Sequence, residues 1–285
     1  MAGKLLVVAT PIGNLDDLSP RALEALRSAD LIACEDTRRT MKLLGRHGVR
    51  RPCVSCHRFN EARRLDPVLR ALRAGKQVAL VSDGGTPGVA DPGARLVAAA
   101  HRAGIPVSPL PGPSAATALL SASGLDADRY VFEGFLPHRP GERRRRLREL
   151  RRESRTIVFY ESPHRIHATL RDVAQVLGSR PLVLGRELTK LHETILVGSA
   201  AALLERLGPE VRGEVSVVLP PDPDGGAGER SDPEALRILA CWRRVLGAHG
   251  GDRRAALREA ARELGLKRAE LQRRLDELAP PTPAR

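Results

Sequence analysis

At 285 residues with 42% hydrophobic residues, the chain carries enough apolar material for two modest globular domains, which excludes a disordered reading. Four cysteines (Cys34, Cys53, Cys56, Cys241) are too few and too irregularly spaced for a disulfide scaffold and suit a reducing cytoplasm. Lys plus Arg number 47 against 34 Asp plus Glu, and the net charge of +13 draws polyanions such as RNA, DNA or a ribosome.

The opening "MAGKLLVVATPIGN" has one lysine and a short apolar run that a proline soon stops. It reads as a buried strand, not a signal peptide, and nothing downstream approaches the roughly 18 apolar residues of a membrane helix. Apolar runs rich in β-branched residues follow in "LIACED", "QVALVSD" and "PVSPL", separated by helix-period segments such as "PRALEALRSA" and "ARRLDPVLRALRAG". Ser19 before Pro20 predicts a helix cap, and Gly75 and Gly104 predict helix stops. This βα repetition with short connections predicts a largely parallel sheet flanked by helices through about residue 110.

Residues 53–57, "CVSCH", have the C-x-x-C-H spacing that attaches a c-type haem. That attachment is mostly an exported chemistry, Met1 and Met41 are the only methionines, and 2% aromatics leave little to wall in a porphyrin. No second Cys or His pair of matching spacing follows to complete a zinc site. The expectation is therefore a short buried strand whose thiols pack as apolar groups, with no metal.

The stretch "LVSDGGTPGVADPGARL" (80–96) leaves a strand, passes through four glycines, two prolines and two aspartates, and enters a helix. Glycines let backbone approach a ligand closely and prolines hold the loop rigid. The spacing matches neither the dinucleotide fingerprint nor the phosphate loop, which leaves a small organic cofactor at the carboxyl edge of the sheet. "ATPIGNL" (9–15) and "PLPGPSAATALL" (109–120) also sit at strand ends, the second placing Ser114 at a helix start, where it meets a ligand or merely caps the helix.

Strands recur in "YVFEGF", "TIVFYES", "PLVLGREL" and "GEVSVVL", with helices expected near 141–153 and 163–177 and a mixed stretch containing "ETILVG". A second α/β unit follows. The segment "RPGERRRRLRELRRESR" (139–155) packs nine arginines and three glutamates into one expected helix, and the excess predicts phosphate contacts. With so few aromatics, such contacts rest on phosphates and shape rather than base stacking. "PPDPDGGAGERSDP" reads as a linker, and the amphipathic segments beyond it form two or three helices, the last pair resembling a helix-turn-helix that docks on RNA or pairs with another subunit. The expected organisation is 1–112, an α/β domain; 113–222, a second; 223–233, the linker; and 234–285, helical.

"TPIGNLDDLSPRA", "ACEDTRRT", "HRFNE", "SDGGTPGVADPG", "PLPGPSA", "FEGFLP", "FYESPHR" and "RELTKLHE" occur in this order over residues 4–220. The set resembles the tetrapyrrole methylase superfamily, and within it the ribosomal RNA small subunit methyltransferase I family, which methylates the ribose 2'-hydroxyl of a cytidine in the decoding centre of 16S rRNA. The resemblance implies a fold of two α/β domains with an S-adenosylmethionine cleft between them and a small helical C-terminal tail. It also implies a cytoplasmic enzyme, 16S rRNA in the 30S subunit as partner, and a homodimer. Two positions depart from the family: Phe59 stands where a second histidine is usual, weakening any histidine-pair chemistry, and Gly84 where alanine is usual.

Carried over residue by residue, the resemblance places the cofactor against Pro11, Ile12, Thr86, Pro87, Val89, Ser114, Ala115, Tyr160 and Glu161. Methyl transfer from a sulfonium needs in-line alignment and removal of a hydroxyl proton. Asp36, His57, Glu187 and Lys190 are the catalytic candidates, with Glu61 and Glu193 as further proton acceptors or orienting groups. Arg38, Asn60, Glu61, Arg165 and Glu193 are expected on the substrate, the arginines as backbone clamps. The sequence does not choose among the bases, and a tetrapyrrole methylase or a non-catalytic assembly factor stand as the rival readings.

Overall fold

A computed structural model describes residues 3–58, 60–222, 238, 241–242, 244–246, 248–249 and 252–277. Packing divides the chain into two compact units, one within residues 1–148 and 155–220, the other within 149–154 and 221–285.

The larger unit holds two five-stranded sheets. In the first, β1 (Lys4–Val8), β2 (Leu31–Cys34), β3 (Cys53–Ser55), β4 (Gln77–Val81) and β5 (Val107–Leu110) lie in the order β3-β2-β4-β1-β5, and every pair is parallel. Helices α1 (Pro20–Ser28), α2 (Thr37–Arg46), α3 (Glu61–Arg73) and α4 (Ala94–Arg102) make the crossovers. Alternate strand residues feed two separate cores: Leu6, Val8, Ile32, Ala79 and Val81 in one, Leu5, Ala33, Val78 and Leu80 in the other. Burial of both faces explains why these strands read as unbroken apolar runs. Ser19 caps α1 as expected, its Oγ accepting from Ala22 N at 3.2 Å, and Gly75 and Gly104 follow α3 and α4 with φ of 85° and 66°.

After α5 (Ala115–Ala122), the second sheet runs β6 (Tyr130–Phe135), α6 (Pro140–Leu150), β7 (Thr156–Glu161), α7 (Ile166–Leu177), β8 (Pro181–Arg186), β9 (Thr194–Ser199), α8 (Ala200–Arg206) and β10 (Val215–Leu219). Its order is β6-β7-β10-β8-β9; β6 and β7 are parallel, and the β7-β10, β10-β8 and β8-β9 pairs are antiparallel. The mixed stretch around "ETILVG" is thus a complete edge strand.

The cysteines of "CVSCH" belong to the cores of the first sheet: Cys53 packs against one, and Cys56, 2% exposed, lies within the other. Burial pushes the Cys56 thiol up to about 11, so it stays protonated and inert.

In the smaller unit, α9 (Arg253–Leu264) and α10 (Arg268–Glu277) turn about Gly265, which is left-handed at φ 68°, and pack Ala256, Ala260, Leu271 and Leu275 around Ile238 and Val245. The expected linker at 223–233 lies outside the described residues. Among the described residues no helix is long and apolar enough to cross a membrane.

Candidate functional site

Because β4, β1 and β5 are adjacent and parallel, the loops after them leave the same carboxyl edge. Thr10 N donates to Gly85 O at 2.9 Å, Gly85 N returns a bond to Thr10 O at 2.8 Å, and Thr10 Oγ1 donates to Ser82 O at 3.1 Å. Thr86 Oγ1 reaches Pro113 O at 3.4 Å, so the three motif loops are laced together. Gly85 and Gly88 have φ of 90° and 82°, which a side chain would strain. The second sheet joins through Tyr160, whose hydroxyl accepts from Ala116 N at 3.1 Å at the start of α5.

These loops enclose a cavity of about 230 Å³. Of the residues expected at the cofactor, Ile12, Thr86, Val89, Ser114, Ala115, Tyr160 and Glu161 line it; Asp91, Phe135 and Glu214 line it too. Phe135 lies 5.8 Å from the Tyr160 ring, edge to face, and is 54% exposed, leaving an aromatic wall open to a flat ligand. Ser114 makes no side-chain cap bond to α5, so its hydroxyl is not spent on the helix. Pro87 is buried within its loop and does not line the cavity.

A second cavity of about 320 Å³ shares Ile12, Gly84 and Glu214 with the first and adds Pro11, Arg39, Lys42, Asp83 and Lys190. One cavity is thus apolar with three carboxylates, Asp91, Glu161 and Glu214, and its neighbour presents three cationic side chains.

The turn carrying Lys190 is unusual. Glu187 and Thr189 are left-handed without being glycine, at φ of 53° and 67°. Thr189 N donates to Glu193 Oε2 at 2.6 Å, Asn14 N donates to Thr189 Oγ1 at 3.0 Å, and a Cβ on Gly13 would come within 2.7 Å of Leu188 O. Lys190 Nζ lies 2.7 Å from Glu187 Oε1 and 3.9 Å from Glu214 Oε2. Partial burial pushes Glu187 up, but the Lys190 hydrogen bond and charge, with the Glu214 amide and Arg186, outweigh it and hold this carboxyl below its ordinary value.

Several sequence candidates are occupied elsewhere. Asp36 caps α2, and Arg38 Nε and Nη2 grip its carboxylate at 3.2 and 2.9 Å. Hydrogen bonds from the Arg38 side chain and backbone amide hold it down to about 2, which makes it a poor proton acceptor at neutral pH. His57 N donates to Asn60 Oδ1 at 2.8 Å, and Asn60 Nδ2 donates to Ser55 O, so Asn60 staples its own turn. Glu61 is 6% exposed and accepts from the amides of Gly93, Arg95 and Leu96; expected on the substrate, it is instead the cap of α4. Arg165 Nη2 donates to Leu136 O at 2.8 Å and to the buried Glu161 at 3.1 Å, bracing the cavity wall from behind. Glu193 holds the Thr189 amide as described.

Three arginines of the arginine-rich helix are engaged within the fold. Arg143, 3% exposed, binds Asp172 at 2.7 Å, Arg144 binds the same carboxylate at 3.1 Å, and Arg146 binds Glu133 at 2.8 Å. Of the expected phosphate surface, Arg145, Arg148 and Arg152 stay exposed outside these pairs.

Asp91 is the group the sequence reading missed, although it stands within the quoted Gly-rich loop. Burial, then the negative charges of Glu35, Asp83 and Glu214, push its carboxyl up to about 6 despite a hydrogen bond from Ser82. Glu214 carried no sequence signal; it precedes an ordinary apolar strand.

A profile of the family described as Tetrapyrrole (Corrin/Porphyrin) Methylases matches residues 4–204. Among relatives, "Ribosomal RNA small subunit methyltransferase I" of Xylella fastidiosa (strain Temecula1) is 52% identical over 70% of this chain and 74% of its own. The proteins of that name from Thermotoga maritima and Synechocystis sp. are 45% and 44% identical, covering 76% and 94% of this chain and 98% and 96% of theirs. Two solved structures share the fold. The methyltransferase CobJ has a TM-score of 0.60 at 23% identity over 77% of this chain and 95% of its own. Uroporphyrin-III C-methyl transferase from Thermus thermophilus, complexed with S-adenyl homocysteine, scores 0.54 at 20% identity over 76% and 97%. On the family match and the identity to these relatives, the chain belongs to the ribosomal RNA small subunit methyltransferase I family of the tetrapyrrole methylases.

Proposed function

We propose that the protein transfers a methyl group from S-adenosylmethionine to the ribose 2'-hydroxyl of a cytidine in the decoding centre of 16S rRNA, acting on the 30S subunit in the cytoplasm as a homodimer. The observation that carries this reading is the pair of adjoining cavities. The first fits the donor: an aromatic and aliphatic wall from Phe135, Tyr160, Ile12 and Val89 suits a nucleoside, and Asp91 with Glu214 suits a sulfonium cation. Bound there, the donor supplies an electrophilic methyl. The second cavity, with Arg39, Lys42 and Lys190, suits a ribose and its flanking phosphates.

The residues then divide the work. Thr86, Ser114 and the glycine backbone orient the donor, and Ile12 and Gly84 form the boundary across which an oxygen meets the methyl in line. Asp91, neutral below and charged above about pH 6, takes the hydroxyl proton as the new bond forms. Lys190, held by Glu187, steadies the developing oxyanion or an adjacent phosphate.

The test is to incubate the protein and S-adenosylmethionine with 30S subunits from a strain lacking this gene, and to map the product by mass spectrometry. A methyl on the ribose of a decoding-centre cytidine is expected; label on a base, or transfer only to a tetrapyrrole, overturns the reading.

A further inference from the structure

The smaller unit carries an exposed cationic stripe of its own. On α9, Arg254, Arg258 and Arg262 recur at i, i+4 and i+8, all exposed, and none has a hydrogen bond or ion pair from its side chain among the described residues. Successive helical residues turn by about 100°, so Arg254 and Arg258 point away from Ala256 and Ala260, which are fully buried in the core of this unit. The stripe runs about 12 Å along the helix.

The acids of the same helix are paired with other side chains. Glu259 Oε2 lies 2.6 Å from His249 Nε2, and Glu263 pairs with Arg244 and accepts from Cys241 Sγ, all on the preceding segment. Past the Gly265 turn, Lys267 and Arg268 add two exposed cations at the head of α10. A groove lined by His249, Ala255, Arg258, Glu259 and Arg262 runs beside the stripe. Trp242, the one tryptophan in the chain, lies under the Arg253 guanidinium at 6.0 Å, so it offers no open platform for an unstacked base.

We propose that this face is an anchor for the phosphate backbone of a structured RNA segment, adding affinity for the substrate and taking no part in the chemistry. The inference rests on the rRNA reading above. A row of unpaired cations with no base-stacking group fits backbone and shape recognition rather than sequence readout.

The test compares the full-length protein with its Arg254→Ala, Arg258→Ala, Arg262→Ala triple variant, in binding to a deproteinised 16S rRNA fragment spanning the decoding region and to whole 30S subunits across a salt series. Alanine keeps the helix propensity at these exposed positions. The expected result is at least about tenfold weaker binding to both, with a salt slope shallower by roughly two to three and unchanged donor affinity. The Lys-for-Arg triple variant should keep the parent slope, which separates charge from fold. Unchanged rRNA affinity and slope overturn the proposal; so does a loss confined to 30S particles, which would assign the face to a ribosomal protein. Should the parent protein bind rRNA with this slope yet place no methyl on ribose, the anchor stands and the catalytic reading fails.

Discussion

Glu61 caps a helix that begins 33 residues after it: its Oε1 accepts from Gly93 N and Arg95 N at 3.2 Å and from Leu96 N at 3.4 Å, at the start of α4. Gly93 has no side chain to do this, and the helix otherwise presents uncapped amides in a buried place. The cap also sits two residues beyond Asp91, so it fixes the end of the loop that carries the proposed base.

Glu61→Ala should therefore cost about 1–3 kcal/mol, because several buried amides lose their acceptor at once. Glu61→Gln keeps an acceptor and should cost less. Thermal denaturation reads the stability. A pH-rate profile separates a positioning role from a bulk one: in Glu61→Gln the limb assigned to Asp91 shifts if the loop end has moved, whereas plain destabilisation lowers the rate evenly at all pH values.

Asp91 sets the pH dependence. With its carboxyl pushed up to about 6, kcat/KM should rise as pH passes through about 6 and level off above it. A bound sulfonium favours the carboxylate, so the same limb in kcat, measured with donor saturating, should lie at lower pH. Asp91→Asn should lower kcat by about 10²–10⁴.

The same shift has a stability consequence of definite sign. Folding favours the protonated form, so the penalty from Asp91 is absent below its unfolded value of 3.8, grows as pH rises towards about 6, and is constant above. Asp91→Asn should be more stable than the parent at pH 8, by on the order of 2 kcal/mol, and indistinguishable from it near pH 3. Chemical denaturation at the two pH values checks this.

Gly13→Ala should damage turnover more than donor binding. The added Cβ would meet Leu188 O and Thr189 Oγ1 at 2.7 Å, displacing the turn that presents Lys190. Calorimetry with the donor should show a change of a few-fold at most, while methyl transfer to 30S subunits should fall by about tenfold or more.

Arg143→Ala should destabilise by about 1–3 kcal/mol, since it breaks a buried ion pair with Asp172, whose two side chains are 4% and 8% exposed, and leaves that carboxylate to Arg144 alone. Its expected effect on the salt slope of rRNA binding is nil, the reverse of the α9 stripe.

That contrast shows where the sequence was legible. The strands of the first sheet were readable because both their faces are buried, so each appears as a continuous β-branched run. The three ligand loops were readable because glycine and proline cluster where backbone must turn tightly. The α6 arginines misled because composition reports charge and not partners: Asp172 and Glu133, which neutralise three of them, lie 28–29 and 13 residues away and meet them only after folding. Glu61 misled for the same reason, since its three amides belong to a distant helix. Asp91 was overlooked among loop glycines because what distinguishes it, burial beside Glu35, Asp83 and Glu214, is assembled from three separate segments.

The most direct measurement is a crystal structure of the protein with S-adenosylhomocysteine. The nucleoside should lie against Phe135 and Tyr160, with its sulfur directed past Ile12 and Gly84 towards the cavity of Arg39, Lys42 and Lys190. A ligand seated outside this cavity, or with its sulfur turned away from that boundary, would contradict the account.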